Sequence, residues 1–268
     1  MSTLTLTSLS GIPLIRQGDN LADIVVRTLS ENKITLQEND ILVFAQKIIS
    51  KAEGRRINLV TVTPSTRAIE LAAQTEKDPR LVELILQESR EVLRTRPGAI
   101  IVEHKLGFVC ANAGIDHSNV DSPFPLGEGS GVRVTGNSLD EWVLLLPAEP
   151  DRSAETIRQE ILSRTGKRIG ILIIDSHGRA WRNGTVGVAI GIAGMPGLQD
   201  LRGQPDLFGF TLRITQVGVA DELAAAASLI MGQAAEGTPV VHVRGFPYPL
   251  REGSLKELIR PKEQDLFR

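Results

Sequence analysis

Residues Ile169-Gly170-Ile171-Leu172-Ile173-Ile174-Asp175 lead directly into Ser176-His177-Gly178-Arg179. The short aliphatic run predicts a buried strand, and it is the strongest strand signal in the chain. A carboxylate, a hydroxyl and a cation follow where that strand is expected to end. A rigid strand end that presents polar groups is a common place for a functional site.

The elements on either side of this strand predict an α+β fold with a mixed sheet. A helix over Ser153–Thr165 closes at Gly166, where a left-handed residue is favoured. Downstream we expect a strand at Val188–Ile192, an alternating segment at Leu212–Val217, a small-residue helix at Ala220–Met231 and a strand at Pro239–Val243.

Upstream, helices and strands are interspersed without a regular βαβ repeat. Apolar spacing predicts a helix over Asp19–Asn32 capped by Asp19, and Thr63-Pro64 and Asp78-Pro79 predict helices over about 64–76 and 79–94. Strands are expected at Ile41–Ala45, Ala99–Glu103, Phe108–Ala111 and Trp142–Leu146. We therefore expect one domain over 1–268 with two interwoven lobes and a long loop at about 121–140.

Bulk composition excludes several classes of protein. Thirty Lys and Arg residues oppose 32 Asp and Glu residues, so no global field attracts nucleic acid or an anionic membrane. The single cysteine, Cys110, excludes an internal disulfide. Without a signal-peptide pattern or a long apolar run, the expected location is cytoplasmic.

Familiar catalytic motifs are missing. No G-x-x-x-x-G-K-[ST] loop is present, and the glycines at 127–131 do not follow a strand, so a P-loop or Rossmann fold is not expected. H-E-x-x-H and G-x-S-x-G are also absent.

Polar groups instead gather in four segments, each with an ordinary structural alternative. Asp175 and Ser176 suit a hard cation, but Asp175 could simply cap a turn and pair with Arg179. Asn112 to Asn119, around Asp116, could be an Asx-rich turn. The cations of Gln46–Arg55 could bind phosphate, or they could be ordinary surface residues at the start of a helix. Met231–Thr238 could approach a ligand with its backbone, or it could only mark the end of a helix.

Taken in order, these segments resemble the coenzyme F420-0:gamma-glutamyl ligase family over nearly the whole chain. The ordered set is specific, although no single fragment is. The matching motifs are Gly11–Ile15, Gly18–Ala22, Gln46–Arg55, Cys110–Asp116, Ser118–Val120, Leu145–Pro147, Pro150-Asp151, Ser153-Ala154, Asp175-Ser176 with Gly178-Arg179, Val219–Ala224 and Arg244-Gly245.

The resemblance implies an enzyme that uses GTP and two divalent metals, Mn²⁺ or Mg²⁺, with K⁺ as a further cation. Its substrates would be L-glutamate and coenzyme F420-0, and its assembly an intertwined homodimer. By position, the metal ligands would be Asp116, Asp175, Ser176 and Gln233, and the catalytic residues Asp116, Asp175 and Lys51. The residues around GTP would be Ile12, Pro13, Leu14, Ile15, Gln46, Lys47, Lys51, Asn119, Met231, Gly232, Gln233, Ala234, Ala235, Glu236, Gly237 and Thr238.

The implied reaction activates a carboxylate as an acyl phosphate, which the glutamate amine then attacks. Metals and lysines would stabilise the transferring phosphoryl group, so no serine or cysteine nucleophile is needed. Two rival hypotheses stay open: a ligase of this fold that acts on a modified F420 precursor or another carboxylate, and a nucleotide-binding regulator without turnover.

Overall fold

A computed structural model describes residues 3–118, 120 and 141–266. The described chain forms two compact units. The first contains residues 3–14, 20–49 and 149–266, and the second contains the described residues of 15–19 and 50–148. The predicted loop at 121–140 and Asn119 lie outside the described residues. The prediction of a single domain with interwoven lobes stays a prediction.

The regular elements are numbered in chain order. The helices are α1 Leu21–Glu31, α2 Gln46–Ala52, α3 Thr66–Thr75, α4 Pro79–Gln87, α5 Pro150–Thr165 and α6 Val219–Met231. The strands are β1 Thr5–Ser8, β2 Ile41–Ala45, β3 Arg56–Asn58, β4 Ser89–Arg96, β5 Ala99–His104, β6 Val109–Ala111, β7 Trp142–Leu144, β8 Gly170–Arg179, β9 Arg182–Ala193, β10 Gln199–Asp200, β11 Gln216–Val217 and β12 Val240–Arg244. Among the described residues, none of the helices combines the length and apolar character that crossing a bilayer requires.

The first unit is built on a five-stranded sheet in the order β1-β12-β2-β8-β9. Strands β2 and β8 are parallel, and the other neighbours are antiparallel. Aliphatic side chains of β2, β8, β9 and β12 pack against the small residues of α6 in one buried cluster. The sheet is therefore mixed, and the predicted α+β class is confirmed.

The second unit has its own smaller core. An antiparallel sheet, β4-β5-β6, and a β3–β7 pair accompany α3 and α4. Apolar residues from these helices and strands, including Val82, Ile85, Ile100 and Val102, form a separate buried cluster.

Most of the predicted elements are confirmed, within a few residues at their ends. Strand β2 has the predicted bounds, and the Asp78 side chain caps α4 by accepting from the Arg80 amide with Pro79 in the first turn. Gly166 ends α5 with φ 69°, as its position predicts. Helix α5 begins three residues earlier than expected because Pro150 occupies its first turn.

Three local predictions are wrong. The helix expected over 79–94 ends at Gln87, and Ser89–Arg96 forms β4, because pairing with β5 outweighs helical propensity there. Helix α1 is capped by Asn20, while Asp19 accepts from the Arg16 amide. Helix α3 is capped by Ser65, so Thr63-Pro64 lies before its first turn.

Strand β8 also runs further than the sequence indicates. It continues through Ser176 to Arg179 and forms a long hairpin with β9, in which Asp175 lies opposite Val188. Asp175 is therefore inside a strand rather than at its end. The polar side chains after Ile174 can occupy strand positions because the hairpin leaves this part partly exposed.

Candidate active site

Two of the predicted segments are adjacent because β2 and β8 are parallel and in register. Ala45, the last residue of β2, lies opposite Ile174. The residue after Ala45 is Gln46, the first residue of α2, and the residue after Ile174 is Asp175. The carboxyl end of β2 and the polar part of β8 thus share one end of the sheet. In α/β sheets the carboxyl ends of parallel strands are a common location for ligands.

The other predicted segments of the first unit reach the same end of the sheet. Met231–Thr238 connects α6 to β12, whose first residue, Val240, lies opposite Phe44 near the end of β2. Leu9 donates its amide to the Val240 carbonyl at 2.9 Å, so Ile12–Leu14 follows β1 out of the sheet there. Four segments expected to surround a nucleotide or its metals therefore lie at one end of the β2 strand, three of them in connections that leave the sheet and Asp175-Ser176 within β8.

Asp175 and Ser176 point to opposite faces of the sheet because side chains alternate along β8. On the face of Asp175, the Nε2 atom of His177 lies 3.0 Å from Oδ2 of the carboxylate. Arg179 donates to the Asn183 carbonyl, and Asp175 ends no strand, so the alternative of a capping aspartate paired with Arg179 is wrong.

On the other face, Ser176 and Gln233 are in direct contact. The Oγ atom of Ser176 lies 2.8 Å from Oε1 of Gln233, although the two residues are 57 positions apart. Adjacent oxygen ligands of an octahedral Mg²⁺ are separated by about 2.9 Å, given metal–oxygen distances near 2.0–2.1 Å. Ser176 donates a hydrogen bond to Gln233 at this distance, and the same separation of two oxygen atoms fits adjacent ligands of a hard cation.

The protein supplies only part of a metal coordination sphere here. Within residues 3–118, 120 and 141–266, no three His, Cys, Asp or Glu side chains are grouped so that they could hold a metal ion. Asp175 offers a carboxylate on one face of the sheet, and Ser176 and Gln233 offer a hydroxyl and an amide oxygen on the other. Oxygen ligands of these kinds suit Mg²⁺ or Mn²⁺ that is shared with substrate phosphates.

Asp221 is a half-buried carboxylate near this site that the sequence did not single out as functional. Its Oδ1 atom accepts from the Ala189 amide at 2.9 Å, beside an irregularity in the β8–β9 ladder. Burial raises the pKa of Asp221, against the opposing effects of that hydrogen bond and of His177. This hydrogen bond joins the first turn of α6 to β9. In the sequence, the acidic residues in the first turn of the predicted helix were the pattern that could have pointed to Asp221.

In the second unit, Asp116 follows an unusual left-handed turn. Asn112, Ala113 and Gly114 have φ values of 51°, 53° and 66°. The Oδ1 atom of Asn112 accepts from the Ile100 amide at 3.1 Å and fixes the turn. Strained backbone of this kind is concentrated at functional sites.

Backbone hydrogen bonds then hold Asp116 itself. Asp116 donates to the Leu144 carbonyl at 3.0 Å, and Leu144 donates to the Asp116 carbonyl at 2.9 Å. Asp116 belongs to the second unit and Asp175 to the first. That they bind one metal cluster stays a prediction.

The remaining predicted residues are distributed along α2 and the N-terminal segment. Gln46 and Lys51 are buried, and Lys47 is half-buried one helical turn before Lys51. Further along, Arg55 donates to Glu88 at 2.7 Å. Ile15 is buried in the second unit.

Comparison with known proteins finds one family that matches the chain along most of its length. The model of the F420-0:Gamma-glutamyl ligase family matches residues 11–245. A coenzyme F420:L-glutamate ligase of Methanothermobacter thermautotrophicus is 45% identical over 267 residues, which cover 99% of both chains. Relatives of the same name from Methanocaldococcus jannaschii and Methanopyrus kandleri are 43% and 42% identical, covering 96% and 100% of this chain and 94% and 100% of their own.

Proposed function

The chain belongs to the F420-0:gamma-glutamyl ligase family, and on that premise we propose that it is a GTP-dependent ligase of coenzyme F420 biosynthesis. It joins L-glutamate to the carboxylate of coenzyme F420-0 and extends a gamma-linked glutamate tail. Relatives that are named coenzyme F420:L-glutamate ligase and match along nearly their whole length support this proposal.

The observation that carries the proposal is the convergence of four segments at one end of the five-stranded sheet. These are Ile12–Leu14, Gln46-Lys47, Asp175-Ser176 and Met231–Thr238. They bring backbone amides, an amide side chain, an ammonium group and oxygen ligands to one location. A nucleoside triphosphate with its metals requires groups of these kinds.

In the proposed reaction, a carboxylate oxygen of F420-0 attacks the γ-phosphorus of GTP. The bond from that phosphorus to the β–γ bridging oxygen breaks, and GDP leaves. The glutamate amine then attacks the acyl carbon, the bond from that carbon to the phosphate oxygen breaks, and the amine loses a proton as phosphate leaves. The protein has to position the reactants and balance charge, with no covalent nucleophile of its own.

The predicted metal ligands and the two lysines of α2 each have a task in this scheme. Asp116, Asp175, Ser176 and Gln233 would hold the divalent cations, which when bound would neutralise charge on the phosphate oxygens. The ammonium groups of Lys47 and Lys51 add positive charge from neighbouring turns of α2, with K⁺ as a further counter-ion.

A homodimer is part of the proposal. The segment between β10 and β11 exposes large apolar side chains, with Leu207 98%, Phe208 95% and Ile214 88% accessible, and Trp181 at the tip of the β8–β9 hairpin is 92% accessible. Large apolar side chains that are exposed to this extent support the proposal that these two segments are buried against a second subunit. Light scattering should give twice the 29.1 kDa chain mass.

The test incubates the protein with F420-0, GTP, Mn²⁺ and L-glutamate and follows the F420 species by mass. We expect products heavier by one or more glutamyl residues, formed together with GDP. GDP release without a glutamylated product would contradict the substrate assignment, and a panel of other carboxylate acceptors in the same assay then identifies the alternative.

Asp116→Asn and Asp175→Asn test the site. Each should abolish metal-dependent turnover while the unfolding midpoint changes little, because the amide keeps the size of the carboxylate and loses its charge. Asp23→Asn is the matched control, since its exposed carboxylate pairs with Arg164 and lies far along the chain from any predicted metal ligand. Turnover that persists in both test variants would show that the two aspartates were assigned wrongly.

A further inference from the structure

Ser228 lies behind the Ser176–Gln233 pair, in the last turns of α6. Its side chain is buried, with 9% of the residue accessible. The Nε2 atom of Gln233 donates to the Oγ atom of Ser228 at 2.8 Å, while Oε1 of the same amide faces Ser176 Oγ. Three side chains thus form a continuous hydrogen-bonded row from the helix to β8.

The close approach of α6 to the sheet makes this row possible. Gly187 lies opposite Ser176 in the β8–β9 ladder. A Cβ atom at Gly187 would lie 2.6 Å from Ser228 Cβ and 2.4 Å from the Ala224 carbonyl oxygen. Only a residue without a side chain lets the helix sit this close, so the backbone places Ser228 at the level of Ser176.

We propose that Ser228 is a positioning residue that turns the amide oxygen of Gln233 toward the divalent cation. This inference rests on the proposed function, in which Ser176 and Gln233 share a metal. The oxygen of an amide binds a hard cation and the nitrogen does not, yet rotation of the amide by half a turn exchanges the two atoms.

Once a cation is present, the hydroxyl of Ser228 stabilises the orientation in which Oε1 faces that cation. A cation on Ser176 Oγ repels the amide hydrogens and attracts Oε1, so the NH₂ group must find an acceptor on the other side. Ser228 Oγ provides that acceptor at 2.8 Å. Partners behind a metal ligand that fix its orientation usually change metal affinity 10–100-fold when removed.

The test measures Mn²⁺ binding rather than turnover. The full-length protein is titrated with Mn²⁺ in the presence of a non-hydrolysable GTP analogue, and free Mn²⁺ is read from its electron paramagnetic resonance signal. We expect Ser228→Ala to weaken one class of Mn²⁺ site about 10–100-fold. Ser163→Ala is the control, because the hydroxyl of Ser163 bonds only within α5 among the described contacts.

A double-mutant cycle with Gln233→Ala shows whether Ser228 acts through the amide. In the Gln233→Ala background, removal of the Ser228 hydroxyl should leave Mn²⁺ binding unchanged, because there is no amide to orient. Ser228→Cys repeats the measurement with a side chain that fills the buried position but accepts hydrogen bonds weakly. This second variant keeps the test valid if alanine disturbs folding.

Two results would overturn the inference: wild-type Mn²⁺ affinity in both Ser228 variants, or the same loss with and without Gln233. Product formation by the wild-type protein is measured on the same preparations. A wild type that glutamylates F420-0 although Ser228→Ala binds Mn²⁺ normally refutes the positioning role alone. A wild type that forms no product refutes the proposed function, and the cycle still decides the role of Ser228.

Discussion

Replacing Gly187 by alanine should destabilise the first unit by about 2 kcal/mol. The new Cβ atom would lie 2.4 Å from the Ala224 carbonyl oxygen, about 1 Å short of an ordinary contact. That oxygen belongs to the backbone of α6, so a whole helix has to shift rather than one flexible side chain. Because backbone has to move, the cost should lie near the upper end of the roughly 1–3 kcal/mol typical of overpacking, and the lower entropy of the unfolded alanine chain returns about 0.4–1 kcal/mol, which leaves about 2 kcal/mol.

Gly178→Ala is a matched control for this prediction. Gly178 lies in the partner strand of the same hairpin, opposite Thr185, and no atom lies within 4 Å of a Cβ added there. Thermal unfolding followed by circular dichroism should show a midpoint lower by roughly 4–8 °C for Gly187→Ala, and an unchanged or slightly higher midpoint for Gly178→Ala. Equal midpoints for the two variants would refute the argument that α6 rests on Gly187.

Two further variants test the buried carboxylate of Asp40, which pairs with the half-buried Arg244, and the left-handed turn. Burial alone would raise the pKa of Asp40, but hydrogen bonds from Arg244 and His242 outweigh burial and hold that pKa below its usual value. The ionised carboxylate therefore stabilises the folded protein above about pH 4, and this stabilisation is lost as the pH falls further. Asp40→Asn should therefore lower the free energy of unfolding by roughly 3 kcal/mol at pH 7, as measured by urea unfolding. The difference in this free energy between the variant and wild type should narrow toward pH 3, and a difference that stays constant would contradict the argument. Gly114→Ala should cost about 2 kcal/mol, because φ is 66° and the added Cβ would lie 2.7 Å from Leu146 Cδ1, and an unchanged urea midpoint would show that the turn relaxes.

Local chemistry explains why much of the fold can be predicted from the sequence. Asp78-Pro79 specifies a helix start with a capping oxygen and a missing amide donor, and the structure has both. Strand β2 is recognised because its aliphatic residues are buried on both faces. Gly166 marks the end of α5 because its left-handed conformation penalises residues with a Cβ atom.

Features that depend on long-range pairing could not be predicted in this way. Ser89–Arg96 is a strand because β5 pairs with it, and its polar composition carries little strand signal. Asp175 is followed by four more strand residues because β9 returns alongside it. The contact between Ser176 and Gln233 joins residues 57 positions apart, so the family resemblance could suggest a shared role but no spacing rule could show their proximity.

The extension of β8 past Asp175 changes how the site is supported. If Asp175 and Ser176 stood in a turn, one local network could orient both. In a strand they face opposite sides of the sheet, so each needs its own support: His177 beside Asp175, and Gln233 with Ser228 beside Ser176. The first support comes from the same strand and the second from α6. The close packing of α6 over Gly187 is therefore needed for one of the two predicted metal positions and not for the other.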